Sequence, residues 1–138
     1  MKKAVIIIIA IIYIAAIALV SFYGLKFKTF NEKIYVNSVE ITNKGVSFGE
    51  DGKYVVIRPN SRGELIYKID YKITPDKATE QEVEFQYDKE ISYVAVGDDG
   101  TVVFDKSTMG SRGAVTVTVV ATDGTGASDT ITIYAYAR

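Results

Sequence analysis

Clustered carboxylates are the side chains of this sequence that are best suited to chemistry. Asp98 is followed by Asp99, Asp123 lies shortly before Asp129, and Glu50–Asp51 forms a third pair. Calcium binds about six to eight oxygen ligands, many of them carboxylates. No EF-hand spacing occurs, however, and Asp-Gly sequences are also what tight hairpin turns require. Asp98, Asp99, Asp123 and Asp129 are therefore predicted to be turn residues, with calcium binding as the alternative. No cofactor is predicted.

The absence of histidine and cysteine excludes several reactions. The chain contains neither residue, so it has no Ser-His-Asp triad, no thiol nucleophile and no ordinary zinc site. A Ser-Lys dyad remains compatible with the composition, because a membrane anchor followed by a β-domain is also the layout of type I signal peptidases. Their Ser-Met-x-Pro signature is missing, since Ser38 precedes Val39 and Met109 follows Thr108. We therefore predict no catalytic residue and no enzymatic activity.

The last segment of the chain alternates apolar and hydroxyl-bearing residues. If its isoleucines and alanines face a core, the residues that face outward are Thr130, Thr132, Tyr134 and Tyr136. Exposed tyrosines favour interfaces, because they bury a large area while fixing few rotamers. A terminal strand can also lie at a sheet edge that is open to strand addition. Packing against the domain's own loops or against the membrane-proximal segment explains the tyrosines equally well.

A second candidate surface is acidic. The stretch Asp76–Glu90 contains six acidic residues against Lys77 and Lys89. Within it, Glu82 and Glu84 alternate with apolar residues and are predicted to share the outer face of a strand. A solvated sheet face is the simplest explanation. The alternatives are a surface for a basic partner and a device against edge-to-edge sheet pairing.

Charge is distributed unevenly along the chain. The formal net charge is −1, but Lys2, Lys3, Lys26 and Lys28 precede Asn31, which leaves 12 basic against 17 acidic residues and a net charge of −5. An acidic domain is a poor ligand for nucleic acid or anionic lipid. We therefore predict no nucleic-acid partner. Without cysteine the domain has no disulfide, so its stability must come from its core.

The element that positions all of these residues is the first one. Ala4–Tyr23 is an apolar run without charge or proline, behind Lys2 and Lys3. In a helix, about 20 residues at about 1.5 Å each span about 30 Å, the thickness of a bilayer's hydrocarbon core. We predict a single-pass transmembrane signal-anchor helix over residues 1–25 that contacts membrane lipid. Because positive charge favours the cytoplasmic side, the N-terminus is predicted inside a plasma membrane and the C-terminal domain outside it.

A cleavable signal peptide is the competing interpretation. Lys2 and Lys3 resemble an n-region, and Ala16-Ile17-Ala18 resembles a cleavage site. The apolar run nevertheless continues as far as Phe22, so no polar region separates the hydrophobic core from the cut. This pattern favours an anchor that is retained.

After a short linker at residues 26–33, residues 34–138 show the period-two alternation of strands. No segment after Tyr23 shows convincing helical periodicity, and Met109–Gly113 is predicted to be a loop. Strands are predicted over Ile34–Thr42, Tyr54–Ile57, Leu65–Thr74, Glu82–Tyr87, Tyr93–Val96, Thr101–Phe104, Ala114–Thr122 and Asp129–Ala137. Seven or eight short strands with turn sequences between them indicate an all-β antiparallel sandwich of the immunoglobulin-like kind.

Several of these segments resemble bacterial immunoglobulin-like domains of group 2, the surface modules of intimin and invasin type. Val36–Thr42 is similar to their opening strand, Ile73–Thr79 to their "TPxxAT" turn, and Tyr93–Val102 to their "xxVAxVdxxGxV" hairpin. Either Gly110 or Gly113, followed by alternating Val and Thr residues and then by Thr122-Asp-Gly, is similar to part of their closing hairpin. Phe85 stands where the family usually has tryptophan, and the resemblance implies a central inward position for it. The family's Asn-Lys and Ser-Ser-Asn pieces around that strand are absent.

The resemblance implies adhesin, surface-protein and phage-structural modules, which share no common ligand. We therefore expect a non-enzymatic, membrane-anchored module for adhesion or recognition on the outside of a bacterial-type cell, with a protein or surface glycan as partner. The alternative is a small accessory subunit that assembles in a membrane complex through both its helix and its sandwich. One domain on a short tether favours this alternative. A helix of Ile and Ala without polar residues disfavours it.

Overall fold

The N-terminal part of the chain is one long apolar helix. A computed structural model describes residues 2–29 and 32–138, with side chains at residues 2–23 and 32–138. Helix α1 spans Lys2–Thr29. Its segment Lys2–Tyr23 has a mean hydropathy of 3.1 and is long and apolar enough to cross a membrane. The helix satisfies its own backbone hydrogen bonds, as a lipid environment demands. These properties fit a membrane span, and a signal sequence shares them.

The helix is longer than the sequence predicts. It ends at Thr29 rather than at residue 25, so it includes part of the segment predicted to be a linker. Residues 30 and 31 of that linker lie outside the described residues. The chain divides into two compact units, Met1–Lys33 and Ile34–Arg138.

The second unit is built mainly of strands, as predicted. In chain order the elements are β1 (Ser38–Ile41), β2 (Ser47–Gly49), β3 (Gly52–Ile57), β4 (Leu65–Lys68), β5 (Tyr71–Thr74), β6 (Val83–Gln86), β7 (Val94–Val96), β8 (Thr101–Phe104), α2 (Lys106–Met109), β9 (Arg112–Ala121) and β10 (Ser128–Tyr136). The ten strands form a five-stranded sheet in the order β2-β3-β10-β9-β6, a three-stranded sheet in the order β4-β8-β7, and the pair β1-β5.

The five-stranded sheet is mixed. Its longest strands, β9 and β10, pair antiparallel from Val120 opposite Ser128 to Arg112 opposite Tyr136. Strand β10 pairs with β3 in parallel, with Ile131 opposite Lys53. A parallel pair cannot be closed by a tight hairpin, and here the two strands are far apart in the sequence. The prediction of a purely antiparallel sandwich is therefore wrong for this pair.

One apolar core is shared by all three sheets. Its side chains come from alternate positions of the strands, because successive residues of a strand point to opposite faces. The largest fully buried side chains are Leu65, Ile69, Val102, Val115, Val117, Val119, Ile131 and Ile133. The core thus depends mainly on β-branched residues, which suit strands.

The predicted strand Leu65–Thr74 is two strands in different sheets. Strand β4 pairs with β8, whereas β5 pairs with β1. Between them, Ile69 N–H donates to the carbonyl of Gly100 at 2.9 Å. The Asn43 side chain donates to Lys68 O and accepts from Asp70 N–H, each at 2.7 Å. Asn43 therefore satisfies the backbone where the chain changes sheets, and the inward and outward faces stay the same across the break.

Helix α2 lies where the sequence predicts no helix and includes Met109, the first residue of the predicted loop, while β9 begins at Arg112 inside that loop, so only residues 110 and 111 lie between the two elements. The Asp105 carboxylate caps it by accepting from Ser107 N–H at 2.9 Å. Hydrogen bonds from Ser107 hold the pKa of Asp105 below its usual range. The helix buries Met109 against Gly113, where a Cβ would lie 2.6 Å from Met109 Cγ. A single helical turn is too short to show a 3.6-residue period, so sequence periodicity cannot reveal it.

Candidate interaction surface

The outer face of β10 carries the predicted hydroxyl-bearing side chains. Ile131, Ile133 and Ala135 are fully buried. Tyr134 and Tyr136 on the opposite face are 39% and 40% exposed. The alternation predicted for this strand is confirmed. Thr130 and Thr132 lie on the same outer face as the tyrosines.

Strand β10 does not lie at a sheet edge. It is the third strand of five, between β3 and β9. Its backbone is therefore paired on both sides. The prediction that the terminal strand could lie at an edge that is open to strand addition is wrong for β10. The tyrosines lie near the middle of a sheet, where binding must use side chains alone.

Pairs of threonines connect the central strands on this outer face. Thr116 and Thr132 hydroxyls are 3.0 Å apart, as are those of Thr118 and Thr130. Cross-strand hydroxyl pairs of this kind stabilise a sheet by about 0.2–1 kcal/mol each. The two pairs therefore connect β9 to β10 on the same face as the tyrosines.

Strand β3 extends the aromatic surface in a way that the sequence did not predict. Tyr54 meets Tyr134 edge to face, with ring centroids 6.1 Å apart. Val56, opposite Tyr134 in the parallel register, is also exposed. We call Tyr54, Val56, Thr132, Tyr134 and Tyr136 the tyrosine face. The sequence shows that Tyr54 and Val56 share one face of their strand, but it does not show that this strand lies beside β10.

Two shallow depressions border the tyrosine face. One of about 190 Å³ is lined by residues 49–54 of the β2–β3 hairpin together with Thr132 and Tyr134. The other, of about 360 Å³, is lined by residues 112–114 together with Tyr134 and Tyr136. The first contains Glu50 and Asp51 in its rim, whereas the second contains Arg112. The aromatic centre thus has acidic side chains at one end and a cation at the other.

Three of the four candidate calcium ligands, Asp99, Asp123 and Asp129, accept hydrogen bonds from other groups of the protein. Asp99 accepts from Thr101 N–H and from its hydroxyl, and Lys68 lies 3.2 Å away. These hydrogen bonds, those of Thr101 foremost, lower the pKa of Asp99 to about 2. Asp98 is exposed in the same turn. No group of three or more potential metal-ligating side chains occurs within the part of the chain that the structure describes.

Asp123 and Asp129 tie the β9–β10 hairpin to the first strand region. Buried Asp123 accepts from Val36 N–H at 2.7 Å, and Asp129 accepts from Ile41 N–H at 2.8 Å and from the Lys53 ammonium. Partial burial of Asp129 opposes its ionisation, but the hydrogen bonds from Ile41, Lys53 and Thr130 outweigh it and lower the pKa of the carboxyl. Both carboxylates therefore serve as acceptors for the domain's own backbone.

The predicted acidic face lies on edge strand β6. Glu82 and Glu84 are exposed, while Val83, Phe85 and Tyr87 are half-buried on the opposite face. Phe85 points inward, as predicted, but it lies on the last strand of the sheet rather than at its centre. Its ring contacts Tyr71 edge to face at 5.9 Å and covers Gly100.

No family model matches the chain, and no curated protein matches it. The resemblance to bacterial immunoglobulin-like domains of group 2 therefore depends on the sequence motifs alone.

Proposed function

We propose that this chain is a non-enzymatic recognition module held in a membrane by α1, and that the tyrosine face binds a protein partner. The domain is an immunoglobulin-like sandwich of the bacterial group 2 kind, displayed on the outer side of the plasma membrane. One observation carries this proposal: aromatic side chains are left exposed over the middle of the five-stranded sheet.

The support beneath these side chains favours binding. Strands β3, β10 and β9 are paired on both sides, and the threonine pairs connect β9 to β10. A surface that is already rigid loses little entropy when it binds, so more of the contact energy appears as affinity. Tyrosine adds area with few rotamers to fix.

The chemistry of the surface favours a protein as the partner. Protein interfaces are rich in Tyr and Arg at their centres and polar at their rims. Tyr134 and Tyr136 supply the aromatic centre, and Arg112 lies beside them. Glu50 and Asp51 supply acidic rim groups at the other end. A glycan-binding site is the alternative that the experiment below excludes or supports.

The test begins with the full chain in its own membranes. A photo-crosslinking amino acid in place of Thr132 should capture one protein partner, whose affinity is then measured with the full chain in lipid nanodiscs. Tyr134→Ser combined with Tyr136→Ser should weaken that affinity by about 2 kcal/mol or more, as loss of aromatic anchors does at interface centres. The free energy of unfolding should change by less than about 1 kcal/mol, because both side chains are exposed.

A matched control lies on the other sheet. Ile66 and Val103 are opposite each other on the outer face of the three-stranded sheet and are 45% and 41% exposed. Ile66→Ser combined with Val103→Ser should leave the affinity unchanged. Equal losses for the two double variants, unfolding of the tyrosine variant, or capture of glycan alone would contradict the proposal. A partner that co-purifies as a membrane complex indicates an accessory subunit, whereas an external protein indicates adhesion.

A further inference from the structure

The backbone of edge strand β6 has one free side. Thr122 N–H donates to the carbonyl of Glu82, which makes these two residues a hydrogen-bonded pair. Because such pairs alternate in an antiparallel ladder, Glu84 and Gln86 also direct their backbone groups at β9. The N–H and C=O groups of Val83 and Phe85 must then point away from β9.

The opposite strand gives the same answer independently. Ala121 is the register partner of Val83, and its N–H donates to Ala127 O on the β10 side of β9. It therefore has no N–H to offer β6. Among the described residues, no hydrogen bond from a turn, a loop or a side chain involves the backbone of Val83 or Phe85. The edge thus presents two unpaired residues in an extended conformation.

A cleft lies beside this free edge. It has a volume of about 290 Å³ and is lined by residues of β6 and by the start of the β7–β8 turn. Val83, Phe85, Tyr87 and Val96 supply its apolar surface, and Lys89 also lines it. A strand added to β6 would place every second side chain in this cleft, because side chains alternate across a sheet.

Charge determines which strand the edge accepts. Glu84 lies on the outer face of β6, next to where an added strand would run. Glu82 and Asp88 lie close to Glu84 in the sequence, and Asp98 lines the cleft. Opposite charges on neighbouring strands attract and like charges repel. A second copy of β6 would bring the same glutamates against one another. The edge therefore disfavours pairing with a second copy of β6 and favours pairing with a basic strand.

We propose that β6 binds an extended segment of a partner protein in which basic and apolar residues alternate, and that this segment becomes the sixth strand of the five-stranded sheet. Its apolar side chains fill the cleft beside Val83 and Phe85, and its basic side chains lie beside Glu84. Backbone hydrogen bonds supply the affinity and the alternating side chains supply the selectivity, as in other cases of strand addition. This site is separate from the tyrosine face and does not depend on its function.

The test uses the full chain in nanodiscs of neutral phosphatidylcholine, so that a cationic probe is not drawn to the lipid. The probe is a capped synthetic peptide of about six residues, the common length of a strand, which alternates lysine and valine. At ten times its dissociation constant the peptide should slow hydrogen exchange of the Val83 and Phe85 amides about tenfold, because only the unbound fraction of the protein exchanges. Exchange at Thr132 and Tyr134 should not change. No slowing, or slowing confined to Val94 and Val96 of β7, overturns the proposal.

Variants separate a backbone contact from a charge contact. Val83→Pro removes an N–H that points away from β9, at an edge position where proline is tolerated. It should weaken binding about tenfold, which corresponds to the free energy of about one hydrogen bond. Val83→Ala keeps that N–H and is the matched control, with an expected loss of less than about threefold. Glu82→Lys combined with Glu84→Lys should abolish binding of the lysine peptide and permit binding of a peptide with glutamate in place of lysine.

A modified peptide keeps the test decisive if Val83→Pro does not fold. Methylation of the peptide's backbone nitrogens that face β6 leaves its charge unchanged but removes its donors. Loss of binding supports strand addition. Equal binding of the methylated and unmethylated peptides shows attraction by charge alone and refutes the proposal.

Discussion

Gly100 lies in the β7–β8 turn directly beneath the ring of Phe85. Its φ is +84°, and a Cβ there would lie 2.8 Å from Phe85 Cζ and 3.1 Å from the carbonyl oxygen of Ile69. A residue with a side chain at positive φ costs about 1–2 kcal/mol. Displacing a packed neighbour costs about 1–3 kcal/mol more. Gly100→Ala should therefore lower the free energy of unfolding by about 2–5 kcal/mol.

Gly124 is the matched control, because its φ is +90° and, among the described residues other than its two chain neighbours, no atom lies within 4 Å of a Cβ built there. Gly124→Ala should cost only the backbone part, about 1–2 kcal/mol. Phe85→Ala removes the ring that Gly100→Ala would strike. In that background the cost of Gly100→Ala should fall by about 1 kcal/mol or more, whereas the contact with Ile69 O remains.

The assay is denaturant unfolding of the full chain in detergent micelles, followed by tyrosine fluorescence because the chain has no tryptophan. Equal costs for Gly100→Ala and Gly124→Ala would show that the Phe85 ring does not cover the turn. The inward orientation of Phe85, and with it the apolar surface of the cleft beside β6, would then be wrong.

Three further outcomes are expected. Asp129 has a pKa below the 3.8 of a free carboxyl, so its contribution to stability is present above about pH 4 and is lost as the pH falls through the folded pKa. In unfolding experiments from pH 6 to pH 2, Asp129→Asn should make the free energy of unfolding fall less steeply with pH. A fall as steep as that of the wild type would contradict this. Tyr67 has a buried hydroxyl without a hydrogen-bond partner among the described residues. Tyr67→Phe should therefore leave the free energy of unfolding unchanged or raise it by up to about 1 kcal/mol. A decrease of more than about 1 kcal/mol would show that the hydroxyl has a hydrogen-bond partner. The mature protein should keep Met1 or Lys2 and stay with membranes after a carbonate wash, and a mass that corresponds to a start near Leu19 would identify a cleaved signal peptide instead.

The faces of the strands could be predicted from the sequence. In β9 and β10 the apolar residues recur at every second position, and burial follows that pattern through Val115, Val117 and Val119 and through Ile131 and Ile133. The Asp-Gly hairpin between β7 and β8 was equally visible, because its turn residues are local signals. Alternation is a property of one strand, so one sequence is enough to show it.

The neighbours of the strands could not be predicted in the same way. Leu65–Thr74 keeps a single alternation through the point where β4 gives way to β5, because the hydrogen bonds of Asn43 and Gly100 leave the side-chain parity intact. The central position of β10 depends on its parallel pairing with β3. Pairings between distant segments leave no trace in either segment alone.

The functions of the carboxylates were hidden for a related reason. An aspartate in a turn looks the same in the sequence whether it binds a cation, caps its own turn or accepts from a distant strand. Asp99 caps its own turn, whereas Asp123 accepts from Val36. Only the second arrangement requires the tertiary structure to be known.

The bonds from Asp123 and Asp129 to the first strand region also have a kinetic meaning. They join residues that are 87 and 88 positions apart in the chain. Contacts of such high sequence separation slow folding, because a long loop must close before they contribute. On a ribosome, Val36 and Ile41 emerge long before the two aspartates exist to accept their N–H groups. Strand β1 can pair with β5 earlier, but these two hydrogen bonds are among the last contacts that the first strand region can form during synthesis.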